Sequence, residues 1–137
     1  ALEDAAKDLP NVYFLPLQPP EKMNVLLNTA DIHILSQRSD LGDAVMPSKL
    51  LPILASGKPV IAAVNPESEL GKIVSGVGLV VPYLEEEALC QAILNLVLSP
   101  VQRSQLGTKG RAYVQRYWRK DLVFEKFGVE LEKIISA

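Results

Sequence analysis

The run Val60–Val64, VIAAV, sets the tightest limit on how this chain can fold. A strand with one face in water alternates apolar and polar residues. A continuous apolar run bounded by turn residues instead fits a strand covered on both faces, as in a parallel sheet flanked by helices. The residues ahead of it extend the reading. In MPSKLLPILASGKP, Leu50, Leu51, Ile53 and Leu54 recur at helical spacing and form an apolar stripe. Ser48 is suited to cap the start of that helix, because its hydroxyl can accept from a free first-turn N–H. Gly57 stands where a helix commonly ends in a left-handed residue, and Lys58–Pro59 make the turn into the strand.

The same alternation runs along the chain. Residues 1–9 read as the tail of a helix with Leu2, Ala5, Ala6 and Leu9 on one side. VYFLPL (12–17) is β-branched and aromatic and predicts a strand ended by Pro19–Pro20. Glu21–Thr29 predicts a short helix with Met23, Leu26 and Leu27 facing inward, and IHIL (32–35) a second strand. After VIAAV, Ser68 caps a helix bearing Leu70, Ile73 and Val74, and Gly76 and Gly78 turn the chain into LVVP, closed by Pro82. Glu85–Leu98 is amphipathic. Pro100 opens another helix, and Asp121 caps a last one carrying Leu122, Phe124, Phe127, Leu131, Ile134 and Ile135. Strands alternating with helices specify an α/β fold: a Rossmann-like open parallel sheet with helices on both faces, here of four strands with right-handed crossovers.

The 137 residues suffice for one domain with a sizeable core. A formal charge of −2, with no basic stripe interleaved with aromatics, gives no reason to expect nucleic acid. No apolar run approaches the ~18 residues a membrane span requires. The single cysteine, Cys90, excludes an internal disulfide and suits a reducing compartment; among Ala88, Leu89, Ala92 and Ile93 it reads as a packed helix residue. The lone His33, between two isoleucines of a predicted interior strand, reads as a satisfied core residue, not a general base. The consecutive Glu85, Glu86 and Glu87 point in different directions and fit a solvated helix start, where the dipole favours them.

Chemistry is expected beyond the strand ends, because open parallel sheets hold ligands outside the carboxyl ends of their strands. The loop after IHIL therefore reads either as merely polar or as a source of contacts to a sugar or phosphate, with Ser36, Arg38, Asp40 and Asp43 as the candidates. At Pro47, Ser48, Lys49 and Leu50 a polar loop feeds a helix start, where free amides and a lysine attract an anion, phosphate above all. Two readings stay open there: Ser48 is only a cap and Lys49 only a solvated side chain, or the pair helps bind a phosphate.

The stretch MPSKLLPILASGKPVIAA resembles the C-terminal, nucleotide-sugar-binding half of GT-B retaining glycosyltransferases of the group 1 type, which build bacterial polysaccharides and glycolipids. The family's A-x-G-x-P-V-I-A pattern is matched by Ala55, Gly57, Pro59, Val60, Ile61 and Ala62. The resemblance implies a domain that binds a nucleotide-diphosphate sugar for transfer to an acceptor. It puts the donor diphosphate on the backbone of residues 47–50 and the nucleobase near Leu15, Pro16 and Leu17, with no metal and no cofactor. Two glutamates typical of the family, one for the donor sugar and one for the ribose, are replaced by Ala44 and Pro52. Their roles cannot be carried over, although Asp43 stands one residue from the first, and no catalytic residue is assigned.

The chain opens on Ala1 without an initiator Met or a signal peptide, and under the resemblance residues 1–137 are one donor-binding domain of a longer two-domain enzyme. Its partners would be the nucleotide-sugar donor and the N-terminal GT-B domain of the same parent, which supplies the acceptor site. The implied location is the cytoplasm, with the parent at the inner face of the membrane as a peripheral enzyme. The isolated fragment would be inactive. The alternatives are a degenerate, non-catalytic nucleotide-binding α/β module and a GT-B-type nucleotide-sugar epimerase, for which the sequence offers no convincing acid/base set.

Overall fold

The computed structural model describes residues 2–37 and 47–135. Three parallel strands form one sheet in the order β1 (His33–Ser36), β2 (Val60–Ala63), β3 (Leu79–Val81). Among the described residues seven α-helices accompany them: α1 (Leu2–Ala6), α2 (Met23–Thr29), α3 (Leu50–Ser56), α4 (Glu69–Val77), α5 (Glu86–Leu98), α6 (Pro100–Tyr117) and α7 (Lys120–Ile135). A 3-10 turn at Pro20–Lys22 leads into α2.

The VIAAV run is the central strand, and its neighbours explain why it carries no polar residue. Val60, Ala62 and Val64 face a core with Leu50, Ile53 and Leu54 of α3 and Leu70, Val74 and Val77 of α4. Ile61 and Ala63 face the opposite way, onto Val81 of β3 and Ala92 and Leu96 of α5. Each successive side chain thus enters a different apolar layer. Gly57 ends α3 in the left-handed conformation (φ 74°), its N–H donating to Leu54 O at 3.1 Å. Ser68 caps α4 as expected, its hydroxyl accepting from Gly71 N at 3.0 Å.

Several expectations are corrected. Of the four strands, the first is not formed: residues 12–17 have no ladder partner among the described residues. Tyr13 and Leu17 are 81% and 100% exposed. Strand propensity acts only where a neighbour takes the hydrogen bonds, and Pro16 has no N–H to offer one. Ser48 is not the cap of α3. Lys49 occupies that position without a side-chain hydrogen bond, and the helix starts from a turn in which Leu50 N donates to Pro47 O at 3.0 Å. Gly76 lies inside α4, and only Gly78 follows the helix. Asp121 sits in the first turn of α7, paired with Arg119. Cys90 is exposed, not packed, because it lies about 200° around α5 from the buried Ala92.

A candidate nucleotide cleft

The irregular segment before α2, α2 itself and the start of α3 enclose a cleft of about 520 Å³, a size common for small-molecule sites. Its three walls come from separate parts of the chain. Leu15, Pro16, Leu17 and Gln18 form one, and Met23, Leu26 and Leu27 of α2 a second. Ser48, Lys49, Pro52 and Ile53, from the turn into α3 and its first residues, form the third.

Packing explains why these segments meet. α2 lies against α3, and Leu27 packs on the core cluster that holds Leu50, Ile53 and Leu54. His33 strengthens the arrangement from below. Its Nε2 lies 3.0 Å from Leu27 O, so the imidazole ties β1 to a cleft wall. Burial holds its pKa below the ordinary 6.5; the bond to Leu27 O opposes that shift, and the nearby Lys58 ammonium adds to it. His33 is thus hydrogen-bonded, as its sequence context predicts, but it is half-buried on a strand at the edge of the described sheet, not in the core of an interior strand.

The lining is mainly apolar, with three polar side chains: Gln18, Ser48 and Lys49. Gln18 Nε2 donates to Pro16 O at 2.9 Å, which fixes the amide along its wall. Ser48 and Lys49 are exposed, and among the described residues Ser48 makes no hydrogen bond. The apolar side chains of this lining suit a flat apolar ring, and the exposed Lys49 offers a positive charge to an anionic group. α3 has only seven residues, so the lysine charge would act there more than a helix dipole.

The residues singled out from the sequence divide. Leu15, Pro16 and Leu17 line the cleft together with Ser48 and Lys49, so the nucleobase and diphosphate candidates share one site. Pro47 and Leu50 do not line it. The Leu50 side chain is 1% exposed in the core, and its amide is already bound to Pro47 O, which removes it as a free donor. Ser36 ends β1 opposite Ala63, exposed and outside the lining. Arg38, Asp40 and Asp43 fall outside the described residues, as does Ala44. Gln18, Met23, Leu26, Leu27, Pro52 and Ile53 are lining residues that the sequence did not assign to a site. The inward face read for Met23, Leu26 and Leu27 was the available signal. Met23, Leu26 and Leu27 do turn inward, but partly onto open space.

No protein-family model matches the chain. Curated relatives and a solved structure do. Over 124 residues it is 32% identical to the Escherichia coli (strain K12) protein named "Putative colanic acid biosynthesis glycosyl transferase WcaI", which covers 88% of this chain and 30% of that one. Over 122 residues it is 29% identical to a GDP-mannose-dependent monoacylated alpha-(1-6)-phosphatidylinositol monomannoside mannosyltransferase of Corynebacterium glutamicum, covering 85% of this chain and 31% of the relative. The chain therefore spans about 30% of the length of these relatives. Its fold matches part of a sucrose-phosphate synthase from Thermosynechococcus elongatus, with a TM-score of 0.81 at 23% identity over 98% of this chain and 33% of that one.

Proposed function

We propose that this chain, a homologue of glycosyltransferases with the fold of a GT-B domain, holds the nucleotide-sugar donor of a longer, two-domain glycosyltransferase. The observation that carries the reading is the shared cleft. Residues 15–18 lie far apart in sequence from Ser48, Lys49, Pro52 and Ile53, and together they line one mainly apolar space that includes a lysine. The nucleobase lies against Leu15, Pro16 and Leu17. The diphosphate lies at Ser48 and Lys49, whose exposed positions leave room for an anion. Ser36, Arg38 and Asp43 remain the proposed contacts for the sugar or phosphate, Ser36 from the end of β1 and the other two from their place after it in sequence.

Lys49 has a definite role in this reading. As the bond from sugar to diphosphate breaks, negative charge grows on the leaving phosphate, and an ammonium beside it lowers the energy of that state more than of the bound donor. The transfer retains stereochemistry and uses protein groups alone, without a metal or cofactor. The acceptor is bound by the parent's N-terminal domain in polysaccharide or glycolipid synthesis. We place the parent in the cytoplasm, peripheral at the inner face of the membrane. The exposed thiol of Cys90 suits a reducing compartment, and among the described residues no helix is long and apolar enough to cross a membrane.

Pro52 in the cleft supports a second reading, a nucleotide-binding module that has lost transfer activity. The two readings share the cleft and differ in whether the parent turns over. Calorimetric titration of the chain with uridine and guanosine diphosphates tests the cleft. At least one is expected to bind in the millimolar range or tighter, and Lys49→Ala to weaken it by about three- to tenfold. Absence of binding by both at millimolar concentrations would reject the donor site. Loss of turnover in a Lys49→Ala parent would support the transferase over the silent module.

A further inference from the structure

α2 forms one wall of the cleft, yet little within the helix holds it in place. It has seven residues, none of them buried, and no side-chain cap at its start. Its C-terminal neighbour, Ala30, is extended and brings no left-handed glycine turn to receive the last carbonyls. Leu27 lies in that last turn, where carbonyls run short of intrahelical donors. The donor comes instead from the sheet. His33 Nε2 lies 3.0 Å from Leu27 O, and a carbonyl only accepts, so the bond places the hydrogen on Nε2.

His33 is itself firmly seated. Its backbone N–H donates to Pro59 O at 2.9 Å, and it pairs with Val60 of the buried central strand. It does not line the cleft, whereas Leu26 and Leu27, on the turn it holds, both do. We propose that His33 is a positioning residue of the cleft: it fixes the last turn of α2 against the sheet and thereby sets ligand affinity without touching the ligand. The inference rests on the nucleotide reading of the cleft given above and extends it to a residue outside the lining. A wall held in place before binding need not be ordered during binding, which removes a cost that would otherwise weaken affinity.

Two substitutions separate the hydrogen bond from the bulk of the ring. His33→Phe keeps an aromatic ring on β1 but offers Leu27 O no donor, and His33→Gln keeps a donor. For whichever of uridine or guanosine diphosphate the unaltered chain binds, His33→Phe should weaken binding by about three- to tenfold and His33→Gln by less than about twofold. Without nucleotide, backbone order parameters at Leu27 and Asn28 should fall from about 0.85 towards about 0.6 in His33→Phe, with those of Ile61 and Val74 unchanged. A merely less stable fold would lower none of them.

Unweakened binding by His33→Phe would overturn the inference while leaving the nucleotide site intact. So would an equal loss in both variants, which would trace the effect to the ring and not to its hydrogen bond. Weakened binding with the order parameters of α2 unmoved would overturn the route through that helix. Absence of binding by the unaltered chain would reject the underlying reading, and this inference with it.

Discussion

Gly107, in the middle of α6, shows how single positions hold the cleft's foundation. A β-carbon there would run into the carbonyl of Gly57, the residue that ends α3. Backbone cannot yield as a flexible side chain can, so the two helices would have to separate. Gly107→Ala should therefore destabilise the chain by about 1–3 kcal/mol despite the better helix propensity of alanine. A lower urea midpoint at unchanged slope would confirm it. A midpoint equal to or above that of the native chain would show that α3 and α6 are not in close contact. His33 supplies a pH dependence whose sign is fixed by its burial. Its folded pKa lies below the ordinary 6.5, so on acidification the unfolded chain takes up a proton first. The contribution is complete above about pH 6.5 and is lost as pH falls through the folded value. Urea midpoints should fall between pH 7.5 and 5.5, and His33→Gln, which keeps a donor for Leu27 O, should flatten that dependence. An identical pH profile in the variant would assign it to other groups.

At the scale of elements, legibility followed how far each segment's environment is set by its own residues. Val60–Val64 and the helix ahead of it were readable because a strand covered on both faces can hold no polar residue, and Gly57 marks its own turn. Residues 12–17 were misread because a strand is a property of a pair, and the sequence of one member does not reveal whether the other is present. Cys90 was misplaced because apolar neighbours on both sides in sequence say little about which side of a helix faces the sheet. The cleft lay between these cases. Its two ends were named from sequence, but their meeting depends on α2 packing against α3, for which neither segment carries a local signal. α7 presents the opposite situation. Its apolar residues were evident, yet none is buried, and Phe124, Phe127, Ile134 and Ile135 are each more than half exposed. Deleting residues 120–137 should thus move the thermal midpoint of the chain by no more than a few degrees, since little apolar area is lost from the core. A collapse of the melt would show that α7 packs on this domain.

For the molecule as a whole, three strands and their helices form two apolar layers, and the cleft opens beside one of them, where α2 leans on α3. The fold is shared with a much longer enzyme, and the relatives it matches are glycosyltransferases of which it spans about 30%. Donor binding is the part of their chemistry that the proposed site can perform without the remainder of such a protein, and it is also the part a direct measurement can reach. Amide resonances of the chain, followed as guanosine or uridine diphosphate is added, test it most closely. The account predicts saturable shifts at Leu15, Leu17 and Gln18 on one wall and at Ser48, Lys49 and Ile53 on the other, developing with a single affinity. Shifts confined to α6 and α7, or to one wall with the other unmoved, would contradict a nucleotide lying across this cleft.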